Sequence, residues 1–286
     1  GTPVVAGAGD QAAEAVGCGI VDDGAVSVTI GTSGVMFAAT EKLHHDAAGK
    51  LHAYCHAVPG MWHVMGVMLS AGGSLQWYRN TLCEQERAQA AEAGVDPYEL
   101  LTRDADGVEP GCEGLIFLPY LTGERTPHPD PYARGVFFGL TLRHGKAHLT
   151  RAVLEGVSFG LCDSLDLLRE LGVCISTVRA SGGGARSELW RQILADVFDS
   201  EIATVNVTQG AAYGAALLAA VGVEVFESVP DACRRAVRET STTPPGPAVA
   251  TYRDYHRHYR ELYPALAPSF RAVGQTVARH HRPESR

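Results

Sequence analysis

The order of glycine-bearing turns and amphipathic segments in the second half of the chain limits the fold more than any single motif does. Gly135-Val-Phe-Phe-Gly139 reads as a strand carrying two glycines. A polar loop and a long helix over 148–171 follow, then a strand over 177–180, then Ser181-Gly-Gly-Gly184, which opens a helix over 186–198. Strands that alternate with helices in this way build an α/β layer protein. Three glycines between a strand and a helix exceed what a simple turn needs, and they predict backbone laid against a ligand ring where a Cβ would clash. The helix behind Gly184 offers unpaired N–H groups to anionic or polar atoms. Along the long helix, positions 149, 153, 157, 161, 165 and 168 are apolar at a spacing that turns one stripe to the core.

The first half carries more strand than helix. Val4–Ala6 reads as a short strand running into Gly7-Ala-Gly-Asp10-Gln11, with a helix starting over 11–16. Two Val/Ile/Phe-rich runs, 25–30 and 35–40, are joined by Gly31-Thr-Ser-Gly34 and read as a hairpin. Segments 52–58 and 62–68 make a second pair turned at Pro59-Gly60, followed by a helix over 70–82 and two charged surface helices over 84–93 and 97–103. A strand over 115–118 leads into a proline-dense loop, 119–134, whose length and interleaved Tyr, Leu and Arg predict an ordered, functional segment. Beyond 198 come a strand over 201–205, an Ala-rich helix over 210–221, a Thr/Pro/Gly linker over 240–247 and a final helix over 252–266, with the last dozen residues frayed. The domain reading is therefore one unit over 1–239, the linker, and a C-terminal helix and tail over 248–286 packing on the same unit.

Composition removes several function classes. With 286 residues and 45% hydrophobic content the chain buries a full core. A formal net charge of −8 argues against a nucleic-acid partner, which needs a basic face. No apolar run approaches the ~18 residues of a membrane-spanning helix. The seven cysteines are scattered, with no C-x-x-C pair, and read as reduced core thiols of a cytoplasmic protein. The twelve histidines lack Cys or Asp companions at ligand spacing, so no metal site is expected within the chain. The chain opens directly on Gly1-Thr-Pro-Val-Val-Ala, without Met or a signal region, and reads as the C-terminal part of something longer.

Three short motifs carry candidate chemistry, each against a plainer reading. Gly7, Gly9 and Ala12 fit a dinucleotide fingerprint, but the acidic residue expected about 20 positions on, at the end of the next strand, is missing, since that strand ends in Ile30-Gly31-Thr32. Asp10 is then either a helix cap or a general base on a rigid turn, with Gln11 beside it able to bond substrate hydroxyls. Gly31-Thr32-Ser33-Gly34 is most simply a hairpin turn; alternatively its N–H groups and hydroxyls cradle phosphates, with no Walker lysine anywhere in the chain. Ser70-Ala-Gly72-Gly73-Ser-Leu-Gln76 puts small residues at a helix start, either for tight packing or for contact with phosphate or adenosine.

Taken in order, these motifs resemble the C-terminal domain of the FGGY carbohydrate kinases, a branch of the actin superfamily, from Gly1 to about Tyr263. Gly135-x-Phe137-x-Gly139-Leu140, seven residues, then His148-Leu149-x-x-Ala152-Val153-Leu154-Glu155 fits a family signature throughout. The resemblance implies an actin-like ATPase (ribonuclease H-like) α/β domain, a mixed sheet flanked by helices. It implies Asp10 as catalytic base, and Asp10 and Gln11 as sugar contacts. Gly31, Thr32 and Ser33, with Gly72, Gln76, Gly183, Gly184 and Ser187, would hold ATP, and Mg2+ would accompany the nucleotide. The loop Leu118-Pro-Tyr-Leu-Thr-Gly-Glu-Arg-Thr-Pro-His128 is similar to that of the branch acting on D-xylulose. Kinases of gluconate, glycerol or ribulose remain open, as does a module that only binds nucleotide or dimerises. The expected partners are the sugar, ATP and an N-terminal FGGY domain of the same protein, with a homodimer left open.

Overall fold

Ala25–Ile30 (β1) alternates strictly between two buried faces, and the computed structural model, which describes residues 1–280, shows why. Val26, Val28 and Ile30 point into the main core, while Ala25 joins a second cluster on the opposite face. A strand buried on both faces has to lie inside a sheet covered by helices on either side.

That sheet has seven strands. β1 pairs antiparallel with Gly34–Thr40 (β2), which pairs with Trp62–Met68 (β4), and His52–Cys55 (β3) closes that edge. On its other side β1 pairs in parallel with Thr177–Ser181 (β7), which pairs in parallel with Ile202–Val205 (β8). Ile116–Leu118 (β5) and Val136–Phe138 (β6) form a separate two-stranded ribbon. Asp10–Gly17 (α1), Gly210–Gly222 (α7) and Val229–Ala236 (α8) pack together on one face of the sheet. Lys146–Glu170 (α5) and Glu188–Phe198 (α6) cover the other face, flanked by Gly72–Leu82 (α2), Glu84–Ala93 (α3) and Pro97–Asp106 (α4). A mixed sheet between two helical layers is the expected fold class.

Several boundaries differ from expectation. Residues 4–6 form no strand and are largely exposed. The presumed linker over 240–247 begins as Glu239–Thr243 (β9), which pairs antiparallel with β8 and closes the sheet edge; its polar composition is what an exposed edge strand tolerates. Helix α8 was not anticipated, although Val229, Ala232 and Cys233 make a buried face at helical spacing. The final helix, Val249–His280 (α9), runs through Pro264 and Pro268 well past the expected stop at 266. Of the terminal dozen residues expected to fray, 275–280 are helical and the others lie outside the described residues. Helix α5 is buried all round from Thr150 to Leu165, not along one stripe, because β5, α4, α6 and α9 surround it.

The 119–134 loop is ordered by polar bonds at both ends. The Thr126 hydroxyl accepts from Val67 N at 3.1 Å and donates to Lys50 O at 2.7 Å. The Tyr120 and Tyr259 hydroxyls meet at 3.0 Å, Tyr263 donates to Asp130 at 2.8 Å, and His128 stacks on the Tyr263 ring at 3.7 Å. The loop is thus ordered between β4 and α9. A second polar node ties α5 to α9: Glu155 accepts from Arg151 Nε at 2.8 Å, from the Tyr252 hydroxyl at 2.8 Å and from Gly111 N at 3.1 Å, all buried.

Candidate nucleotide and catalytic site

Parallel strands β1 and β7 end side by side, with Thr29 in register with Ser181, and each releases a turn at its carboxyl end. In open α/β sheets this is where ligands bind. The turn after β1 is Gly31-Thr32-Ser33, closed by Gly31 N donating to Ser33 O at 3.0 Å. The turn after β7 is Gly182-Gly183-Gly184, which leads through a short 3-10 turn to Ser187, whose hydroxyl accepts from Trp190 N and caps α6.

Between these turns lies a cleft of about 480 Å³, within the range of small-molecule sites. Gly31, Thr32, Gly72 and Gln76 line one side, and Gly183, Gly184, Arg186 and Ser187 another, over a floor of Ile30, Leu75 and Trp190. Seven of the eight residues expected to meet ATP are therefore gathered in one cleft; Ser33 is exposed at the turn tip and outside the lining. The opposing wall is helix α4, through Asp96, Tyr98, Glu99 and Thr102. That wall was expected to be mere charged surface. Its start is fixed by Asp96, which accepts from Tyr98 N, and by Pro97 in the first turn. The Arg79 guanidinium lies 4.5 Å over the Tyr98 ring, and burial pushes the Tyr98 phenol up.

The glycines do different work from what their clustering implies. Gly182 has φ +83°, a backbone conformation that L side chains rarely adopt. A Cβ at Gly184 would lie 2.5 Å from Ile30 Cγ2 and 3.1 Å from Trp190 Cε3, so that position faces the core. A Cβ at Gly183 meets nothing within 4 Å and would open into the cleft. Gly72 is small for packing: its N donates to Gly31 O at 2.8 Å and its Cβ would lie 2.5 Å from that oxygen. Gly135 and Gly139, the two glycines that flank β6, abut Leu121 and Gly114 and line no part of the cleft. The signature stretch 135–155 supports the site from behind.

Asp10 and Gln11 sit outside the cleft, at the start of α1 on the opposite face of the sheet. Asp10 is the first helical residue, with Gly9 in the cap position, so it is not the helix cap. No strand precedes Gly7, which removes the dinucleotide fingerprint. Asp10 is exposed, and Oδ1 accepts from Gln11 N at 2.8 Å. The 31–33 turn, at the end of β1, lies between the two faces: the cleft opens on the Ile30 side and α1 packs on the Thr29 side. This arrangement can hold a chain of phosphates that passes over the sheet end from the cleft toward a carboxylate.

The cleft holds, among the described residues, no cluster of side chains that could ligate a magnesium ion. Among the described residues, the group of His, Cys, Asp or Glu close enough to hold an ion is Cys162, Asp166 and His256, on the α5–α9 flank. The described residues of the cleft therefore do not fit a resident magnesium site.

A profile of the C-terminal domain of the FGGY family of carbohydrate kinases matches residues 26–223. The chain is 41% identical to a xylulose kinase of Escherichia coli over 93% of its length and 53% of that protein's. It is 37% identical to a gluconokinase of Bacillus subtilis, over 92% and 50%. A crystal structure of xylulose kinase from Rhodospirillum rubrum superposes with a TM-score of 0.82 at 33% identity, covering 94% of this chain and 52% of that one. The chain spans about half the length of the relatives it matches.

Proposed function

Because the chain belongs to the FGGY family of carbohydrate kinases, we propose that it is the ATP-binding half of an enzyme that converts D-xylulose to D-xylulose 5-phosphate. The observation that carries this reading is the meeting of the two turns at the ends of β1 and β7, with Asp10 across the sheet end from the cleft. ATP lies with its adenosine against Gly183 and the α4 wall and its phosphates over Gly31-Thr32-Ser33. Asp10 takes the proton of the sugar's terminal hydroxyl as the γ-phosphoryl leaves, and Gln11 bonds a neighbouring hydroxyl. A magnesium ion bound with the nucleotide would offset phosphate charge; this chain's contribution is positioning and electrostatics, which dominate phosphoryl transfer.

The other wall of the sugar pocket comes from a second, N-terminal domain of the same protein, matching the half of the relatives that this chain does not span. Closure of the two halves excludes water from the transfer. The E. coli relative supports D-xylulose as substrate, and the similarity of loop 118–128 agrees. The B. subtilis gluconokinase supports gluconate as the second reading. Sugar-dependent ADP release by the intact protein, measured over D-xylulose, D-ribulose, D-gluconate and glycerol, decides between them. The highest kcat/KM for D-xylulose is expected; a higher value for gluconate would transfer the assignment.

A further inference from the structure

Helix α1 carries the proposed base at its exposed first residue. Its buried residues are Ala12, Ala13, Ala15, Val16 and Gly17, small apolar surfaces lying against α7. The two helices interlock closely at Gly17 and Gly214, where an added Cβ would fall on the partner helix's backbone at Gly210 and Ala13, whereas Asp10 lies exposed at the other end of α1. The carboxyl end of α1 is held by Arg179 Nη1, which donates to Cys18 O at 3.1 Å and Gly19 O at 2.7 Å, and by Cys233 Sγ on Val16 O; nearer Asp10 the directional contact comes from Glu14. Its Oε1 accepts from Thr29 Oγ1 at 3.0 Å and from Ser181 Oγ at 3.1 Å, and the two hydroxyls lie 2.8 Å apart. Each hydroxyl has one proton. Either both turn to the carboxylate or one relays through the other, and both arrangements end on Glu14.

The three partners sit on the three segments the chemistry needs. Glu14 is four residues after Asp10, one turn along the same helix face. Thr29 is two residues before Gly31 and the phosphate turn; Ser181 immediately precedes Gly182 and the adenosine turn. Thr29 and Ser181 are register partners in the parallel pair β1–β7, so one carboxylate spans both strand ends. Space for it is kept open by α7: a Cβ at Gly210 would lie 2.8 Å from Glu14 Cγ.

We propose that Glu14 is a positioning residue for phosphoryl transfer, its carboxylate holding the helix of Asp10 in register with the two nucleotide turns. The inference rests on the reading of Asp10 as the base. A displacement of about 1 Å in a reacting group can cost on the order of 10²-fold in rate, so loosening α1 lowers turnover before it lowers nucleotide binding. Glu14 differs from Asp10 in acting through the backbone it holds.

The test uses the intact kinase, with Glu14→Ala, Glu14→Gln, Ser181→Ala and Asp10→Asn compared for kcat, both KM values and melting temperature. Glu14→Ala is expected to lose between about 10- and 10²-fold in kcat, with KM for ATP and the melting temperature close to wild type. Glu14→Gln keeps the accepting oxygen and recovers kcat to within about threefold of wild type, and Ser181→Ala, which perturbs the cluster from the strand side, falls between them. Wild-type turnover by Glu14→Ala with Asp10→Asn inactive would overturn the positioning role alone. So would a Glu14→Gln as slow as Glu14→Ala, or a loss of stability and ATP affinity that tracks the loss of kcat. Normal turnover by Asp10→Asn would overturn the base assignment itself, and this inference with it.

Discussion

Gly183 and Gly184 are adjacent, both lie in the cleft lining, and the structure predicts opposite consequences for the same substitution. At Gly184 the new Cβ of an alanine would stand 2.5 Å from Ile30 Cγ2 and 3.1 Å from Trp190 Cε3, against a normal carbon–carbon separation of roughly 3.5–4.0 Å. Ile30 is 1% exposed and Trp190 2%, so neither neighbour can swing into solvent. Overpacking of this kind costs about 1–3 kcal/mol, partly offset by about 0.4–1 kcal/mol from the lost freedom of the unfolded glycine. The net, up to about 2.6 kcal/mol, lowers the melting temperature by roughly 2–4 °C per kcal/mol. At Gly183 the backbone is helical (φ −64°, ψ −38°) and the Cβ direction is empty. Alanine there is neutral or slightly stabilising, while leucine fills the cleft, leaves the melting temperature unchanged and raises KM for ATP at least tenfold without a matching change for the sugar. Thermal melts and nucleotide titrations on both pairs decide it. A Gly184→Ala protein with unchanged melting temperature, or a Gly183→Leu protein with normal ATP affinity, would refute the assignment of these two directions.

Asp10→Asn in the intact kinase is expected to lower kcat by about 10²–10⁴ with ATP affinity retained; near-normal turnover would return Asp10 to a structural role. Glu155→Ala strands Arg151 in the core and is expected to cost about 3–5 kcal/mol in denaturant unfolding, and a loss under 1 kcal/mol would contradict the buried-node description. Burial pushes the Glu124 carboxyl up to about 7, and its Oε2 has no partner. The native state therefore holds a proton that the unfolded chain releases near 4.5, so this group's contribution is full below about 4.5 and is lost as pH rises through 7. Glu124→Gln should flatten that part of the stability profile, gaining on wild type at pH 8 relative to pH 5; parallel profiles would count against it. The His56–His63 pair, whose rings burial holds down at about 4, acts in the opposite sense. Its contribution is present above about 6.5 and is lost as pH falls toward 4, so His63→Phe should reduce acid sensitivity in the same melts, and an unchanged acid limb would refute this.

Much of the site was legible because it is built from turns, and turn chemistry is local. Gly31-Thr32 and Gly182–Gly184 interrupt apolar runs, and an interruption between strand and helix can be seen without knowing the fold. What one glycine run cannot disclose is the direction of each absent Cβ. Gly184 looks like Gly183 in sequence, and only the neighbouring Ile30 and Trp190 separate them. The α4 wall was missed because Tyr98, Glu99 and Thr102 make the polar face of an ordinary amphipathic helix, with Leu101 and Ala105 buried behind. Strand β9, Glu-Thr-Ser-Thr-Thr, has no buried face and borrows its structure from β8. Glu14 gave no motif at all. Its role depends on two hydroxyls 15 and 167 residues away along the chain.

The central claim is that nucleotide binds between the turn at 31–33 and the turn at 183–187. Amide hydrogen–deuterium exchange on this chain, with and without saturating ATP, tests it residue by residue. Slowed exchange is expected at 31–33, 72–76, 96–102 and 183–190 alone, abolished by Gly183→Leu in a protein that still melts normally. ATP-dependent protection elsewhere, such as along the α5–α9 flank, with these segments unchanged, would contradict it.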